Sequence, residues 1–186
     1  MDPSSAPPDA ATPTLRESLG SGRLAEGRRR ARVKAVSRLI QCAVRLRPAD
    51  PQEGERLREI AIASKSYWGY APDRVTEWAA MGDFSPAGLR RKEAHVADVD
   101  GRAVGWVAII PRGDVCWLDD LWVEPAWIGA GIGSRLFRHA AERGQQLGAI
   151  RLEWEAEPNA VGFYQKMGGR FLRDNGPSAW GRACLR

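Results

Sequence analysis

Apolar and polar residues recur along this chain with two different periods, and the changes of period mark out its elements. Ala43-Val44-Arg45-Leu46-Arg47 alternates as a strand does, and Pro48-Ala49-Asp50-Pro51 closes it. Helical spacing follows through Leu57, Ile60, Ala61 and Ser64. It resumes from Trp68 to Met81, with Val75, Trp78 and Ala79 on one side, until Gly82-Asp83-Phe84-Ser85-Pro86 breaks it. His95–Val99 and Ala103–Ile110 read as strands joined by the turn Asp100-Gly101, and Val115–Val123 as a third after Arg112-Gly113-Asp114. Ile132 to Leu147 has helical spacing, with Ile132, Leu136, Ala140 and Leu147 near one face. In the next strand Ile150, Leu152 and Trp154 face one way and Arg151, Glu153 and Glu155 the other. A short helix from Asn159 to Met167 ends at Gly168-Gly169, and Arg170–Arg173 and Ala179–Leu185 are candidate final strands.

The predicted order is β-α-α-β-β-β-α-β-α-β-β. Three successive strands joined by short turns must run antiparallel, whereas the strand-helix-strand step from Val115 to Glu155 implies a parallel crossover. An α/β class (α+β mixed sheet) follows: a central, mostly antiparallel sheet flanked by helices.

Composition narrows where this domain lies. The chain has 186 residues, enough for one domain, and no apolar run long enough to span a membrane. The net charge of +5 invites a nucleic-acid reading, but its location argues against one. Residues 1–41 carry eight basic and four acidic residues, 8 − 4 = +4, which leaves +1 for everything after them. That stretch begins rich in Pro, Ser, Ala and Gly, then carries Arg28, Arg29, Arg30 and Arg32; it reads as a disordered basic tail ahead of a domain at 42–186. Cys42, Cys116 and Cys184 are scattered without metal-ligand spacing, and His95 and His139 have no Cys or His close by in sequence. The expectation is a cytoplasmic protein with no metal, no membrane contact and no disulfide framework.

The stretch that suggests chemistry is Leu121 to Ser134. A strand ends at Pro125, a glycine-rich turn follows, and a helix begins at once. Such a junction gathers unpaired amides and the positive end of a helix dipole, and so binds phosphate without a charged side chain. Gly133-Ser134 has no lysine before the serine, so this is not a nucleoside-triphosphate loop. A dinucleotide fingerprint would follow the first strand of a parallel unit, which this strand is not.

Val123-Glu124-Pro125, Gly129-Ala130-Gly131-Ile132-Gly133 and, one strand later, Asn159-Ala160-Val161-Gly162-Phe163-Tyr164 with Gly168 together resemble the GNAT superfamily of N-acetyltransferases. The resemblance covers nearly all the chain after the tail. It implies a GNAT-like fold whose sheet splays at the parallel strand pair, with acetyl-CoA in the gap as acyl donor and a primary amine of a small molecule or protein as acceptor. It places Leu121, Trp122 and Val123 along the pantetheine arm. The amides of Gly129, Ala130, Gly131, Ile132, Gly133 and Ser134 go to the pyrophosphate, and Asn159 and Tyr164 lie beside the thiol. Ile128 stands where the family usually has Arg or Gln. Ser64-Lys65-Ser66-Tyr67-Trp68-Gly69-Tyr70 also looks like one bacterial GNAT subgroup of unassigned substrate.

Acyl transfer to an amine needs a base, because an alkyl amine has a pKa near 10. Asp119, Asp120, Glu153, Glu155 or water are the candidates, with Asp119 first because strand alternation puts it on the face of Leu121 and Val123. Tyr164 is the candidate acid for the departing thiolate, and the Val123 amide a candidate donor to the thioester carbonyl. Tyr67, Trp68, Tyr70 and Trp78 are candidates for an acceptor wall suited to an apolar or cationic amine. A homodimer is compatible with the pattern, and a non-catalytic CoA-binding module on the same fold is the alternative.

Overall fold

Arg102–Arg112 is the longest strand of the domain and is apolar on both faces, as a strand covered on two sides must be. The computed structural model describes residues 44–173 and 183–185, and the expected tail 1–41 lies outside them. Within them the strands are β1 (Arg45–Pro48), β2 (Glu93–Val99), β3 (Arg102–Arg112), β4 (Val115–Val123), β5 (Arg151–Ala156), β6 (Phe171–Arg173) and β7 (Ala183–Leu185). The helices are α1 (Gly54–Tyr67), α2 (Pro72–Met81), α3 (Pro86–Arg90), α4 (Ile132–Gln146) and α5 (Val161–Lys166). One sheet runs in the order β1-β2-β3-β4-β5-β7-β6. β1 to β4 pair antiparallel, β4 and β5 parallel, and β7 antiparallel to both β5 and β6.

Two cores flank this sheet. On one face Ile132, Leu136, Phe137 and Ala140 of α4 pack with Val107, Ile109, Leu118 and Trp154. Each fully buried Leu or Ile there contributes about 1.5–3 kcal/mol. On the other face Leu57, Ile60 and Ala61 of α1 pack with Val96, Trp106 and Ala108, and the buried Trp106 indole N–H donates to the Leu57 carbonyl at 3.0 Å.

Several elements depart from the expectation. Ser85 and Pro86, read as a break, start α3: the Ser85 side chain accepts from the Gly88 amide and Pro86 takes the first helical position. Pro72 does the same for α2, which therefore begins there and not at Trp68. Ile150 precedes β5, is 76% exposed and takes no part in the apolar face, while Leu147 is the C-cap of α4 and 40% exposed.

β4 contains the departure that matters most. Ala108 pairs with Asp120 but Ile109 with Leu118, so Asp119 is an extra residue opposite no partner. A bulge of this kind shifts the side-chain alternation by one. Cys116 and Leu118 before it, and Leu121 and Val123 after it, all join the α4 core, while Trp122 joins the other. The argument that put Asp119 on the face of Leu121 by unbroken alternation is thereby corrected.

His95 and His139, distant in sequence, meet edge-on with ring centroids 4.4 Å apart. Among the described residues no group of three or more His, Cys, Asp or Glu is arranged to hold a metal, and no helix is long and apolar enough to cross a membrane.

Candidate active site

β4 and β5 pair only through Val115–Arg151, Cys116–Leu152 and Trp117–Glu153, and then part. Beyond the last pair β5 turns to β7, and a cleft of about 330 Å³ opens beside β4. Leu121 and Val123 border it on one side and Asn159, Ala160, Phe163 and Tyr164 on the other. The Glu124 amide donates to the Val104 carbonyl on β3 at 2.9 Å. By alternation the peptide groups of Trp122 also face β3, while those of Leu121 and Val123 face the opening. An extended chain entering the cleft therefore meets a strand edge with its hydrogen-bonding groups available.

The far end of the cleft is the glycine turn, through Trp127, Ile128, Gly129, Gly131, Gly133 and Ser134. Gly129 and Gly131 have φ of 84° and 87°, and Gly131 is the N-cap of α4. A side chain at Gly131 would be strained in that left-handed conformation. The Arg135 amide already donates to the Gly131 carbonyl, so Ile132, Gly133 and Ser134 are the residues whose amides lack an i−4 partner. The Ala130 amide is engaged within the turn, donating to Trp127 at 3.2 Å. The Ile132 side chain is in the core. An apolar trough leading to a fifteen-residue helix start fits a thioester donor with a phosphate-bearing tail.

A second cavity, of about 380 Å³, adjoins the first, and both are lined by Trp68, Leu121, Ala160 and Tyr164. Much of its remaining wall is charged and aromatic: Asp83, Asp119, Asp120, Glu155 and Glu157 with Lys65 and Lys92, and Tyr70, Trp78, Phe84 and Trp122. Lys92 bridges the two aspartates, its Nζ 2.5 Å from Asp119 Oδ2 and 3.0 Å from Asp120 Oδ2, and the Trp122 indole N–H donates to Asp120 Oδ1 at 2.9 Å. Burial pushes the Asp120 carboxyl above the ordinary aspartate value, and the neighbouring Asp119 charge adds to this, against the opposing pull of Lys92. Tyr164 is 8% exposed, packed against Trp154 at 4.9 Å and Phe163 at 5.1 Å. Burial first, then the Glu157 and Asp120 charges, push its phenol well above the usual tyrosine value, so it stays protonated.

Of the expected site residues, nine line the first cleft: Leu121, Val123, Ile128, Gly129, Gly131, Gly133, Ser134, Asn159 and Tyr164. Trp122 lines the second cavity instead, stacked on Trp78 at a centroid distance of 5.0 Å. Among the base candidates Asp119, Asp120 and Glu155 line that cavity; Glu153 is ion-paired to Arg151 at 2.8 Å where β4 and β5 still pair. Tyr67 is 55% exposed and packs edge-on to Trp68. Lys92 and Glu157 were not foreseen. Glu157, two residues ahead of Asn159 and the second motif, carried a positional signal, whereas Lys92 carried none.

A mixed sheet opened at its parallel pair, with a glycine turn and a helix start at the mouth of the opening, defines an acetyltransferase type of fold. The sequence profile of the acetyltransferase (GNAT) family matches residues 55–169, and the chain belongs to that family. Solved structures share the fold at low identity. The PaiA N-acetyltransferase of Thermoplasma acidophilum, in complex with coenzyme A, is 18% identical with a TM-score of 0.67, over 76% of this chain and 96% of that one. A GCN5-related N-acetyltransferase of Rhodopseudomonas palustris is 24% identical with a TM-score of 0.64, over 77% and 93%. A GNAT family acetyltransferase of Brucella melitensis, in complex with acetyl-CoA, is 21% identical with a TM-score of 0.55, over 76% and 86%. No curated protein sequence matches significantly.

Proposed function

We propose that this protein transfers an acetyl group from acetyl-CoA to a primary amine of a small molecule or protein, directly within a ternary complex. The observation that carries this reading is the junction of the two cavities. Trp68, Leu121, Ala160 and Tyr164 border both, so a donor thioester in one and an amine in the other would meet beside a buried phenol.

Leu121 and Val123 would bind the donor's extended arm with their cleft-facing peptide groups. The amides at the start of α4 would hold its pyrophosphate, with Ile128 and Trp127 giving apolar contact at that end. The acceptor arrives as an ammonium and must lose a proton before its nitrogen attacks the thioester carbon. We assign that step to the Asp119–Asp120 pair. Lys92 holds the two carboxylates together, and burial raises Asp120 toward the operating pH, where a base works best. As the C–N bond forms and the C–S bond breaks, the Val123 amide would steady the carbonyl oxygen. The Tyr164 hydroxyl would supply the proton that the sulfur takes on leaving. A phenol whose pKa is raised is never without that proton at neutral pH.

Calorimetric titration with acetyl-CoA, with desulfo-CoA and ATP as controls, tests the donor half. Saturable binding of acetyl-CoA with little for ATP is expected, followed by thiol release across an amine panel. Tight binding with no thiol release from any amine would instead make the protein a CoA-binding module. No binding by folded protein would remove the donor site altogether.

A further inference from the structure

The segment Ser64 to Tyr70 is used only in part by the chemistry above. It closes α1, with Trp68 as C-cap, and Gly69 at φ of 80° turns the chain back so that Tyr70 returns toward Lys65. Lys65 is 1% exposed. Its Nζ lies 2.6 Å from Glu157 Oε1 and 4.6, 5.1 and 5.8 Å from the ring centroids of Trp78, Tyr70 and Trp122. The Tyr70 hydroxyl donates to the other Glu157 oxygen at 2.7 Å. All five residues line the charged cavity.

Three aromatic rings and a carboxylate around one ammonium are the chemistry of a cation-binding cage. Here the cation is part of the chain. Stability alone explains this poorly, since a buried ion pair gains little over a well-packed apolar replacement. Placement explains it better. The cage lines the acceptor cavity, and Asp119, Asp120 and Lys92 form a second ion cluster lining it, joined to the cage through the Trp122 indole that donates to Asp120. An incoming ammonium finds the aromatic rings already filled by a like charge.

We propose that Lys65 is a specificity-determining residue: its ammonium is a tethered ligand of the Tyr70, Trp78 and Trp122 cage, and by filling the cage it keeps alkylammonium groups of acceptors out. The word acceptor rests on the acetyltransferase reading; the filled cage does not.

The test uses the full chain with Lys65→Ala and n-propylammonium chloride, which restores the three carbons and the ammonium that the substitution removes. The probe should raise the variant's Tm saturably by several degrees, while sodium chloride at equal ionic strength does not and wild type responds to neither. A variant that responds equally to both salts overturns the proposal. If Lys65→Ala does not fold, the isosteric Lys65→Met takes its place in a cycle with Glu157→Gln. Tm losses that are clearly less than additive are expected, and additive losses overturn the proposal. The specificity readout is a diamine against the monoamine of equal length. Relative kcat/KM for the diamine should rise at least tenfold in the Lys65 variant, and an unchanged preference overturns the role assigned to Lys65. Absence of thiol release from wild type with every amine would sink the acetyltransferase reading alone and leave the thermal arm to decide the cage.

Discussion

The two cavities that meet at Tyr164 are built by opposite means. The donor cleft is made of backbone: a strand edge at Leu121 and Val123, a turn with two glycines at positive φ, and the amides at the start of α4. The acceptor cavity is made of side chains, with five carboxylates, two lysines and a set of aromatic rings. Backbone donors cannot titrate and are fixed by local conformation, so the cleft suits a ligand that never changes. Ion pairs and rings can be altered one residue at a time, which makes the second cavity the place where members of one fold diverge in substrate.

The sharpest way to break this contrast is at the shared border. Tyr164→Phe should lower kcat about 100-fold while leaving donor affinity intact, as loss of a general acid does. An unchanged rate and pH profile would move the chemistry away from the junction. Gly131→Val attacks the donor cleft alone. Forcing a β-branched residue to the φ of 87° costs about 1–3 kcal/mol, so acetyl-CoA affinity should fall about tenfold by calorimetry. An unaffected affinity would mean that the turn does not shape the phosphate end.

Titration separates the two regions further. Because Asp120 is raised in the fold, it contributes stability that is fully present below the ordinary aspartate value, near pH 4, and lost as pH rises through the raised value. Wild-type Tm should therefore carry a fall with rising pH that Asp120→Asn removes. The acceptor-dependent rate should rise over the same interval, and donor affinity should stay flat across it. Trp68→Ala should have the smallest effect. The ring borders both cavities and is 42% exposed, so a few-fold weakening of donor and acceptor together is expected with little change in Tm. A loss confined to the acceptor would show that the two sites do not share this wall.

The segments that line the first cleft were legible in the sequence because they lie close together. Strand, turn and helix start fall within Leu121 to Ser134, and the second motif needed only one crossover to reach it. Even there the alternation put Asp119 on the wrong face, and Trp122 lines the second cavity. A single inserted residue opposite Ala108 and Ile109 changes which side chains share a face, and nothing in the alternation of Val115–Val123 announces it. α3 was hidden for a different reason. Ser85-Pro86 serves equally as a stop for the preceding helix and as a cap for the next, and only the Gly88 amide on the Ser85 hydroxyl shows which.

The sequence by itself determined the order of the strands and of every helix but α3, the mixed sheet with its parallel step, and the glycine turn ahead of α4. Each rests on backbone preferences and periodicities that act over a few residues to a few turns. Only the tertiary structure decided which charges meet. Lys65 reaches Glu157 across 92 positions, and Lys92 reaches Asp120 across 28. Such pairs form where crossovers bring strands and helices together, because a buried charge is tolerated only where the fold delivers a counter-charge to it.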